Sequence, residues 1–352
     1  MFPTLPRAAG PVSVVLYLAV ASFAATAADA AAQDTTPPPV TVGRITISGF
    51  VQADALFTKD AGTSSDRPGS DEGESPDSFS VPRARVGLSG ALTQKITWYL
   101  TGDFANLTSD GRVLRDAYMT FTANSQFAVR YGQMVAPFSL ERLTSYTKLE
   151  LIDRSVIGTF MTPSRDIGLM ILNVQPWRGW ITYGAAIING TGQNRADDNN
   201  AKDVVGRVVT KVPHVSHLAL GVNAQTGTQA AGDRHRVGVD VNYEVRDYRV
   251  AVEHVSQRRD YATRVDTSGF SVIGAFKHHA HDVSPHYAGY ELAARYVDVE
   301  DDAVTLTSHQ VQAGGTYFIT PALRLQSNVI LPIGDDQPRH AVRWWSRLQF
   351  NF

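Results

Sequence analysis

The chain has 352 residues, which suit two ordinary domains or one large all-β barrel, and its formal net charge of −2 excludes a broadly basic nucleic-acid binder. It contains no cysteine, which excludes disulfides, thiolate metal sites and a cysteine nucleophile. Aromatic residues are numerous, with 13 Tyr, 15 Phe and 5 Trp, yet the mean hydropathy is slightly negative. This combination favours a barrel with one face toward lipid and one toward water.

Residues 1–32 have the layout of a secretory signal peptide. Arg7 precedes an apolar run over residues 12–25, and small-residue cleavage sites of the A-x-A type follow that run. The run is too short to span a bilayer, although an uncleaved membrane anchor is the alternative interpretation. Residues 33–43 form a lead-in to the folded part, residues 44–352. No later apolar run approaches the ~18 residues of a transmembrane helix, so we expect an exported protein without one.

From Arg44 onward the dominant hydrophobic period is two residues, as in strands with two different faces. The pattern predicts about sixteen strands: 44–57, 79–91, 94–106, 111–123, 125–134, 165–175, 178–188, 203–212, 217–226, 234–245, 247–257, 268–277, 286–299, 306–319, 322–333 and 339–352. Short turns and longer polar links are expected to alternate strictly between them. An even strand count with this alternation is typical of an outer-membrane β-barrel and is not expected of a soluble sandwich.

The longest gap between predicted strands covers residues 133–168. A connection of this length is usually functional or disordered. It carries many apolar residues that need burial: Phe138, Leu140, Leu143, Tyr146, Leu149, Leu151, Ile152, Val156, Ile157 and Phe160. Because charged residues are interspersed among them, we expect this third loop, residues 133–166, to fold into a partly wet barrel lumen as a constriction.

Several stretches, in order along the chain, resemble the phosphate-selective porin O and P family of Gram-negative outer membranes. They are FSVPRARVGLSGAL (79–92), RDAY (115–118), YGQ (131–133) with APFSLER (136–142), DRS (153–155), PSRDIG (163–168), NGTG (189–192) with residues 198–203, and ELAARY (291–296). Each stretch alone is weak, but their common order spans most of the chain after residue 43. The final strand also ends in an aromatic residue, Phe352, as is typical of outer-membrane barrels.

The resemblance implies a sixteen-stranded, usually trimeric barrel whose third loop narrows the pore. It also implies passive uptake of small anions, such as phosphate or polyphosphate, and neither a cofactor nor covalent chemistry. The expected partners are these anions, pyrophosphate or organic acids, and outer-membrane lipid, with no nucleic acid. The chain departs from the family in being shorter and in lacking a dense lysine run.

Strand parity predicts which arginines face the lumen. Ala84, Val86 and Leu88 form an apolar face, which turns Arg83 and Arg85 inward. The same rule gives the anion-binding candidates Arg83, Arg85, Arg130, Arg207 and Arg295 on strands, and Arg142, Arg154 and Arg165 in the third loop. Guanidinium groups suit this role because they are always charged and present forked donors to anion oxygens.

Two other interpretations of these arginines stay open. Acids on the same parity could pair with them in cross-strand ladders that only brace the wall: Asp54, Asp103, Asp116, Asp240, Glu244, Glu253 and Glu291. Arg165 could instead pair locally with Asp166. The sequence does not choose between selectivity and bracing for any one arginine.

Competing functions are a weakly selective porin, a lipase-like barrel enzyme and a plugged structural barrel. An enzyme would need a serine near a histidine such as His254, and no G-x-S-x-G motif surrounds a suitable serine. The histidines at 278, 279, 281 and 286 lack matching carboxylates, and the acidic segment 60–77 lacks the order of a calcium loop, so no metal site is predicted. We therefore expect a porin and not an enzyme.

Overall fold

The computed structural model describes residues 45–59, 77–106, 113–215, 217–284, 287–303, 308–333 and 342–352. Within these ranges sixteen antiparallel strands pair in chain order and close into a barrel. Their bounds are β1 Thr46–Lys59, β2 Ser78–Ala91, β3 Ile96–Asp103, β4 Leu114–Asn124, β5 Phe127–Val135, β6 Arg165–Leu172, β7 Ile181–Ile188, β8 Asp203–Lys211, β9 Leu218–Gln229, β10 Gly232–Val245, β11 Tyr248–Asp260, β12 Arg264–Ser284, β13 Tyr287–Asp301, β14 Ser308–Phe318, β15 Leu323–Pro332 and β16 Val342–Asn351. The predicted all-β fold with sixteen strands is confirmed.

The barrel closes where β1 pairs with β16. Beyond the strand register, Gly49 and Phe352 exchange two backbone hydrogen bonds of 2.8 and 3.0 Å. A Cβ on Gly49 would lie 2.5 Å from Cζ of Phe352, so a glycine is needed for the terminal ring to pack here. The C-terminal aromatic residue thus belongs to the seam of the barrel.

Side chains alternate between the two faces of the wall as the period of two predicts. In β1, Gln52 and Asp54 face inward and are buried, whereas Val51 faces outward. In β5, Phe127 and Tyr131 face outward and are 41% and 67% exposed. The apolar outer face and polar inner face are those of a barrel that meets lipid outside and water inside. Among the residues that the structure describes, no helix is long and apolar enough to cross a membrane.

The expected strict alternation of short and long links is wrong at two places. The start of β1 and the end of β16 lie at one end of the barrel, and the β9–β10 and β11–β12 links at the opposite, outer end are residues 230–231 and 261–263. Gly232 makes the first turn possible, because its φ of +135° lies in the left-handed region that favours glycine. The outer links at β9–β10 and β11–β12 are therefore tight turns.

The third loop, between β5 and β6, contains three short helical turns. They are the α-helical turn α1 Leu140–Leu143, a 3₁₀ turn Tyr146–Lys148 and a π-helical turn Ile157–Met161. Ser139 caps α1, since its hydroxyl accepts a 3.0 Å hydrogen bond from the Arg142 amide. The long connection is thus an ordered segment with its own local structure.

Most apolar side chains of the loop pack against inward residues of the wall. Ile152 is fully buried with Leu56, Ile330 and Trp345, and further contacts join Leu151 to Ala275 and Ala293, and Phe138, Val156, Ile157 and Met161 to Val205, Val255, Val297 and Val299. The expected burial is wrong for Leu143 and Phe160, which remain 45% and 46% exposed. A segment that touches wall strands in both halves of the chain lies inside the barrel.

Candidate constriction site

Charged side chains of the wall hold the third loop along one side of the lumen. The ion pairs are Arg249–Glu150 at 2.7 Å, Lys277–Glu150 at 3.1 Å, Arg83–Asp153 at 3.0 Å and Arg295–Glu141. Two arginines donate to loop carbonyls, Arg324 to Tyr146 at 2.9 Å and Arg347 to Ile152. These partners lie on β2, β11, β12, β13, β15 and β16, so the loop is fastened to nearly half of the wall.

The start of the loop is fixed by polar groups of β9 and β11. Asn223 Oδ1 accepts a 3.0 Å hydrogen bond from the Ser139 amide. The Glu253 carboxylate accepts hydrogen bonds of 3.2 Å from the amides of Leu140 and Glu141. Because these amides open α1 and have no partner within that turn, the carboxylate satisfies groups that would otherwise be buried and unpaired.

The opposite side of the lumen stays open. Cavities of only about 40 and 20 Å³ separate the loop from β11–β16 and β1, roughly the space of a water molecule or two. An open cavity of about 380 Å³ instead lies between the loop and strands β3–β8. A solute that passes the loop must use this second side.

Six arginines from the wall and the loop form a group at the outer end of the open side, five of them around Tyr146 and the sixth, Arg165, beside Arg85, Arg115 and Arg142. We call them the arginine cluster: Arg83, Arg85, Arg115, Arg142, Arg154 and Arg165. The Cζ atoms of Arg83, Arg154 and Arg85 lie 3.6, 3.9 and 5.1 Å from the centre of the Tyr146 ring. Stacking on an aromatic face stabilises a guanidinium group and leaves its edge free to donate hydrogen bonds.

Carboxylates neutralise only half of the arginine cluster. Arg83 pairs with Asp153 at 3.0 Å, Arg85 with Asp103 at 2.7 Å and Arg165 with Asp116 at 3.0 Å. The other three arginines have no carboxylate partner in the part of the chain that the structure describes: Arg115, Arg142 and Arg154. Six guanidinium groups face three carboxylates, so the narrow part of the lumen carries an excess of positive charge.

The loop's titratable groups show the same imbalance. Burial raises the pKa of Tyr146, but the charges of Arg83, Arg154 and Arg142 together lower it to about 8. Burial and the charge of Arg154 lower the pKa of Arg142 to about 10. The arginine charges contribute to both shifts: the arginine cluster contains more positive than negative charge, which stabilises a phenolate and destabilises a further guanidinium cation.

The family model for phosphate-selective porin O and P matches residues 52–253. The chain belongs to this family. It is therefore an outer-membrane porin, and its lumen is a channel for small solutes. A comparison with curated proteins finds no match.

Solved porin structures share the fold of this porin at low sequence identity. An anion-selective porin from Comamonas acidovorans is 15% identical, with a TM-score of 0.63 over 88% of this chain and 99% of that chain. OmpF of Salmonella typhi, in complex with daunomycin, is 12% identical, with a TM-score of 0.62 over 88% and 97%. OmpT of Vibrio cholerae in its trimer form is 12% identical, with a TM-score of 0.59 over 88% and 100%.

The structure of the porin divides the predicted anion-binding arginines into three groups. Arg83, Arg85, Arg142, Arg154 and Arg165 come together in the arginine cluster. Arg130 lies in the open cavity.

Arg207 and Arg295 are engaged by protein groups. Arg207 binds both carboxylate oxygens of Asp240, and Arg295 binds Glu141, Gln312 and the Asp153 carbonyl.

The alternative pairing of Arg165 with Asp166 is wrong. Arg165 binds both carboxylate oxygens of Asp116 at 3.0 Å, on the neighbouring part of the wall. Asp166 instead accepts hydrogen bonds from its neighbour's amide, Ile167, at 2.7 Å and from the Gly192 amide at 3.0 Å. The carboxylate therefore joins the third loop's end to the next outer link.

Strand parity missed Arg115, because its neighbour Asp116 was assigned to the lumen and strict alternation then sends Arg115 to the lipid. The pairing of β3 with β4 shifts register between Thr101 and Gly102, opposite the start of β4, and this irregularity brings Arg115 into the cluster. A charge on the lipid face costs about 2–4 kcal/mol near mid-membrane. That cost was the signal in the sequence that Arg115 faces inward.

Two further stretches considered in the sequence lie outside the residues whose side chains the structure describes. They are the histidines at 279, 281 and 286 and the acidic segment 60–76. The ring of His278 contacts Tyr290, with 5.2 Å between ring centres. The described residues contain no group of three metal-ligating side chains.

Proposed function

We propose that this porin favours small anions such as phosphate, and that the arginine cluster provides the preference. Solute enters between the outer links and passes the third loop on the side of β3–β8. There Arg115 replaces part of the anion's hydration with charge-assisted hydrogen bonds, while Arg142 and Arg154, which donate to oxygens of the third loop, add positive charge that no carboxylate of the described residues neutralises. Arg83, Arg85 and Arg165 hold the geometry through their carboxylate partners and add to the local potential.

The observation that supports this proposal is the charge imbalance of the arginine cluster, where six guanidinium groups face three carboxylates. A lumen lined by one sign of charge and low-dielectric walls concentrates the opposite ion. Several sites of moderate strength, instead of one tight site, allow the anion to leave again. Both terminal nitrogens of Arg207 bind Asp240, and those of Arg295 bind Glu141, Gln312 and the Asp153 carbonyl. We therefore assign these two arginines to bracing the wall and the loop.

We propose further that residues 1–32 are a cleaved signal peptide, that 33–43 are a lead-in, and that the porin is a homotrimer. Residues 1–44 lie outside the described ranges, so the first two statements rest on the A-x-A sites after the apolar run. The trimer form of OmpT supports the third. Mass spectrometry of the mature N-terminus and the mass of the detergent-extracted complex test them.

The selectivity test is the reversal potential of the full-length porin in a planar bilayer across a potassium chloride gradient, followed by added phosphate. We expect a potential toward the chloride equilibrium and a chloride current that phosphate reduces. The double variant Arg115→Gln with Arg142→Gln removes two unpaired charges and no ion pair, so we expect the anion-to-cation permeability ratio to fall about threefold or more.

Lys95→Gln is the matched control, because Lys95 is exposed in the β2–β3 turn outside the lumen. Its reversal potential should equal that of the unmodified porin. Cation preference in the unmodified porin would overturn the anion mechanism and leave the arginines as bracing groups.

A further inference from the structure

The open cavity below the arginine cluster has a different character from the cluster itself. We call it the lower chamber; its lining includes Tyr99, Tyr118, Tyr183, Leu143, Met170 and Arg130. β4 descends from Leu114 at the outer end to Asn124, so Asp116 marks the level of the cluster and Tyr118 a deeper one. A solute that has passed the cluster therefore meets this chamber next.

The lower chamber shows apolar surface to the lumen. Leu143 is 45% exposed although most apolar residues of the third loop are buried. The rings of Tyr99 and Tyr118 stand side by side with 5.3 Å between their centres. Covering such water-exposed apolar surface with an apolar group of a solute lowers the free energy and therefore favours binding.

One free positive charge lies beside this surface. The Arg130 Nε donates a 3.1 Å hydrogen bond to Thr120 Oγ1, and its Cζ lies 4.1 Å from the centre of the Tyr118 ring. Neither terminal nitrogen of Arg130 has a protein partner among the described residues, so both can donate to a solute.

The other charges of the lower chamber are already matched. Asp116 is bound at both oxygens by Arg165, and Arg207 is bound to both oxygens of Asp240. The chamber thus offers a single cation next to an aromatic and aliphatic wall.

From this arrangement we propose that the lower chamber is a binding site for monovalent organic anions with an apolar ring, the class of aromatic carboxylates. The carboxylate accepts from the terminal nitrogens of Arg130, and the ring packs between Leu143 and the tyrosines. The inference rests on the proposed anion passage, because the ring-bearing anion must first cross the arginine cluster.

The same arrangement disfavours inorganic phosphate at this level. Phosphate presents oxygen in every direction, so those oxygens that face Leu143 and Met170 would lose water without gaining a hydrogen bond. An aromatic carboxylate confines its charge to one end and its apolar surface to the other. The arginine cluster and the lower chamber would then recognise two different features of one solute, its charge and its ring.

The test compares benzoate, acetate and phosphate as blockers of the chloride current through the full-length porin in a planar bilayer. Benzoate and acetate carry the same charge, and only benzoate has a ring. We expect half-block by benzoate at a concentration about tenfold lower than by acetate, which is about 1.4 kcal/mol. Covering roughly 55 Å² of apolar surface suffices for that difference.

Two variants separate the charge from the apolar wall. Leu143→Ser should weaken benzoate block about threefold and leave acetate and phosphate block unchanged, because the change removes apolar surface from a side chain that is 45% exposed and carries no charge. Arg130→Gln should weaken benzoate block about tenfold and reduce the advantage of benzoate over acetate little, since both lose the same charge. Lys95→Gln again serves as the charge control.

Equal block by benzoate and acetate, with chloride preference intact, would overturn the lower chamber as a ring site and leave the proposed anion function standing. Benzoate block that persists unchanged in Leu143→Ser and Arg130→Gln would overturn it too, because the ring would then bind elsewhere. Loss of chloride preference in the unmodified porin would overturn the anion function itself. These outcomes differ, so a failure of the ring site can be distinguished from a failure of the proposed anion function.

Discussion

The two sides of the lumen use the same residue type for opposite purposes. On the side of β9–β16, arginines meet carboxylates or loop carbonyls, and the third loop leaves only small cavities. On the side of β3–β8, half of the arginine cluster has no carboxylate, and a cavity of about 380 Å³ remains. Carboxylates or loop carbonyls therefore match inward arginines of the first side, whereas three arginines of the cluster have no carboxylate partner among the described residues.

This comparison explains why a single parity rule cannot assign function. Arg347 and Arg115 both face inward, yet Arg347 is fully buried against Asp54 and Arg115 has a buried Nε without a partner. Charge excess on the open side is tolerable because water and passing anions satisfy it. The braced side has no room for either, so its charges must be matched by the protein.

The largest effect is expected from breaking the braced side at Arg347. Its guanidinium donates to both Asp54 oxygens at 2.7 Å and also to the Ile152 carbonyl. Arg347→Met removes the guanidinium that pairs with both oxygens of the buried Asp54 carboxylate, and breaking a buried ion pair on one side destabilises proteins by about 3–5 kcal/mol. Urea unfolding of the porin in lipid vesicles, followed by tryptophan fluorescence, measures the loss.

The double variant Arg347→Met with Asp54→Asn is the control for this prediction. It removes the carboxylate charge together with the guanidinium, so a good part of the stability should return. If the single and double variants unfold at the same urea concentration, the charge pair is not what holds the seam between β1 and β16.

Strand existence and order could be predicted because the period of two is a local signal. Strand length could not always be predicted: β12 was expected over residues 268–277 and runs Arg264–Ser284. Most of the added residues are polar and do not continue the apolar alternation, and backbone pairing with β11 and β13 carries the strand beyond the apolar band. Likewise, no local pattern predicts that Asp116 pairs with Arg165 and not with a closer residue.

The site was predicted in composition more than in arrangement. Apolar content correctly indicated a packed third loop, but which side of the lumen the loop covers depends on long-range partners such as Arg295 with Glu141. Arg115 escaped because a register shift is a property of two paired strands and not of either sequence alone. The structure therefore adds two things to the sequence: which charged side chains pair with each other, and the register between neighbouring strands.

A smaller effect is expected from titrating the pair that joins the two sides, Arg83 with Asp153. Burial raises the pKa of Asp153, but the charges of Arg83 and Arg347 lower it to about 2. Because this folded pKa is below the ordinary value, the stabilising contribution is present above pH about 4 and is lost as pH falls toward about 2. Protease protection of the third loop and single-channel conductance should both hold from pH 7 to 4 and change below it.

Asp153→Asn is the matched variant, since it keeps the shape of the side chain and removes its titration. The variant's loop protection should be lower at pH 7 and show less change between pH 4 and 2. A profile for Asp153→Asn that follows the unmodified porin would assign the acid transition to other carboxylates.

The smallest effect, and the sharpest probe of the open side alone, is the titration of Tyr146. With its pKa lowered to about 8 by the surrounding arginines, the phenol becomes a phenolate as pH rises through that value and adds a negative charge inside the cluster. The excess positive charge falls, so the anion-to-cation permeability ratio should decrease by roughly twofold between pH 7 and 9. Tyr146→Phe keeps the ring that stacks on Arg83 and Arg154 and cannot ionise. Its ratio should stay level across that range, whereas an equal decline in Tyr146→Phe would assign the pH dependence to another group and remove Tyr146 from the selectivity of the cluster.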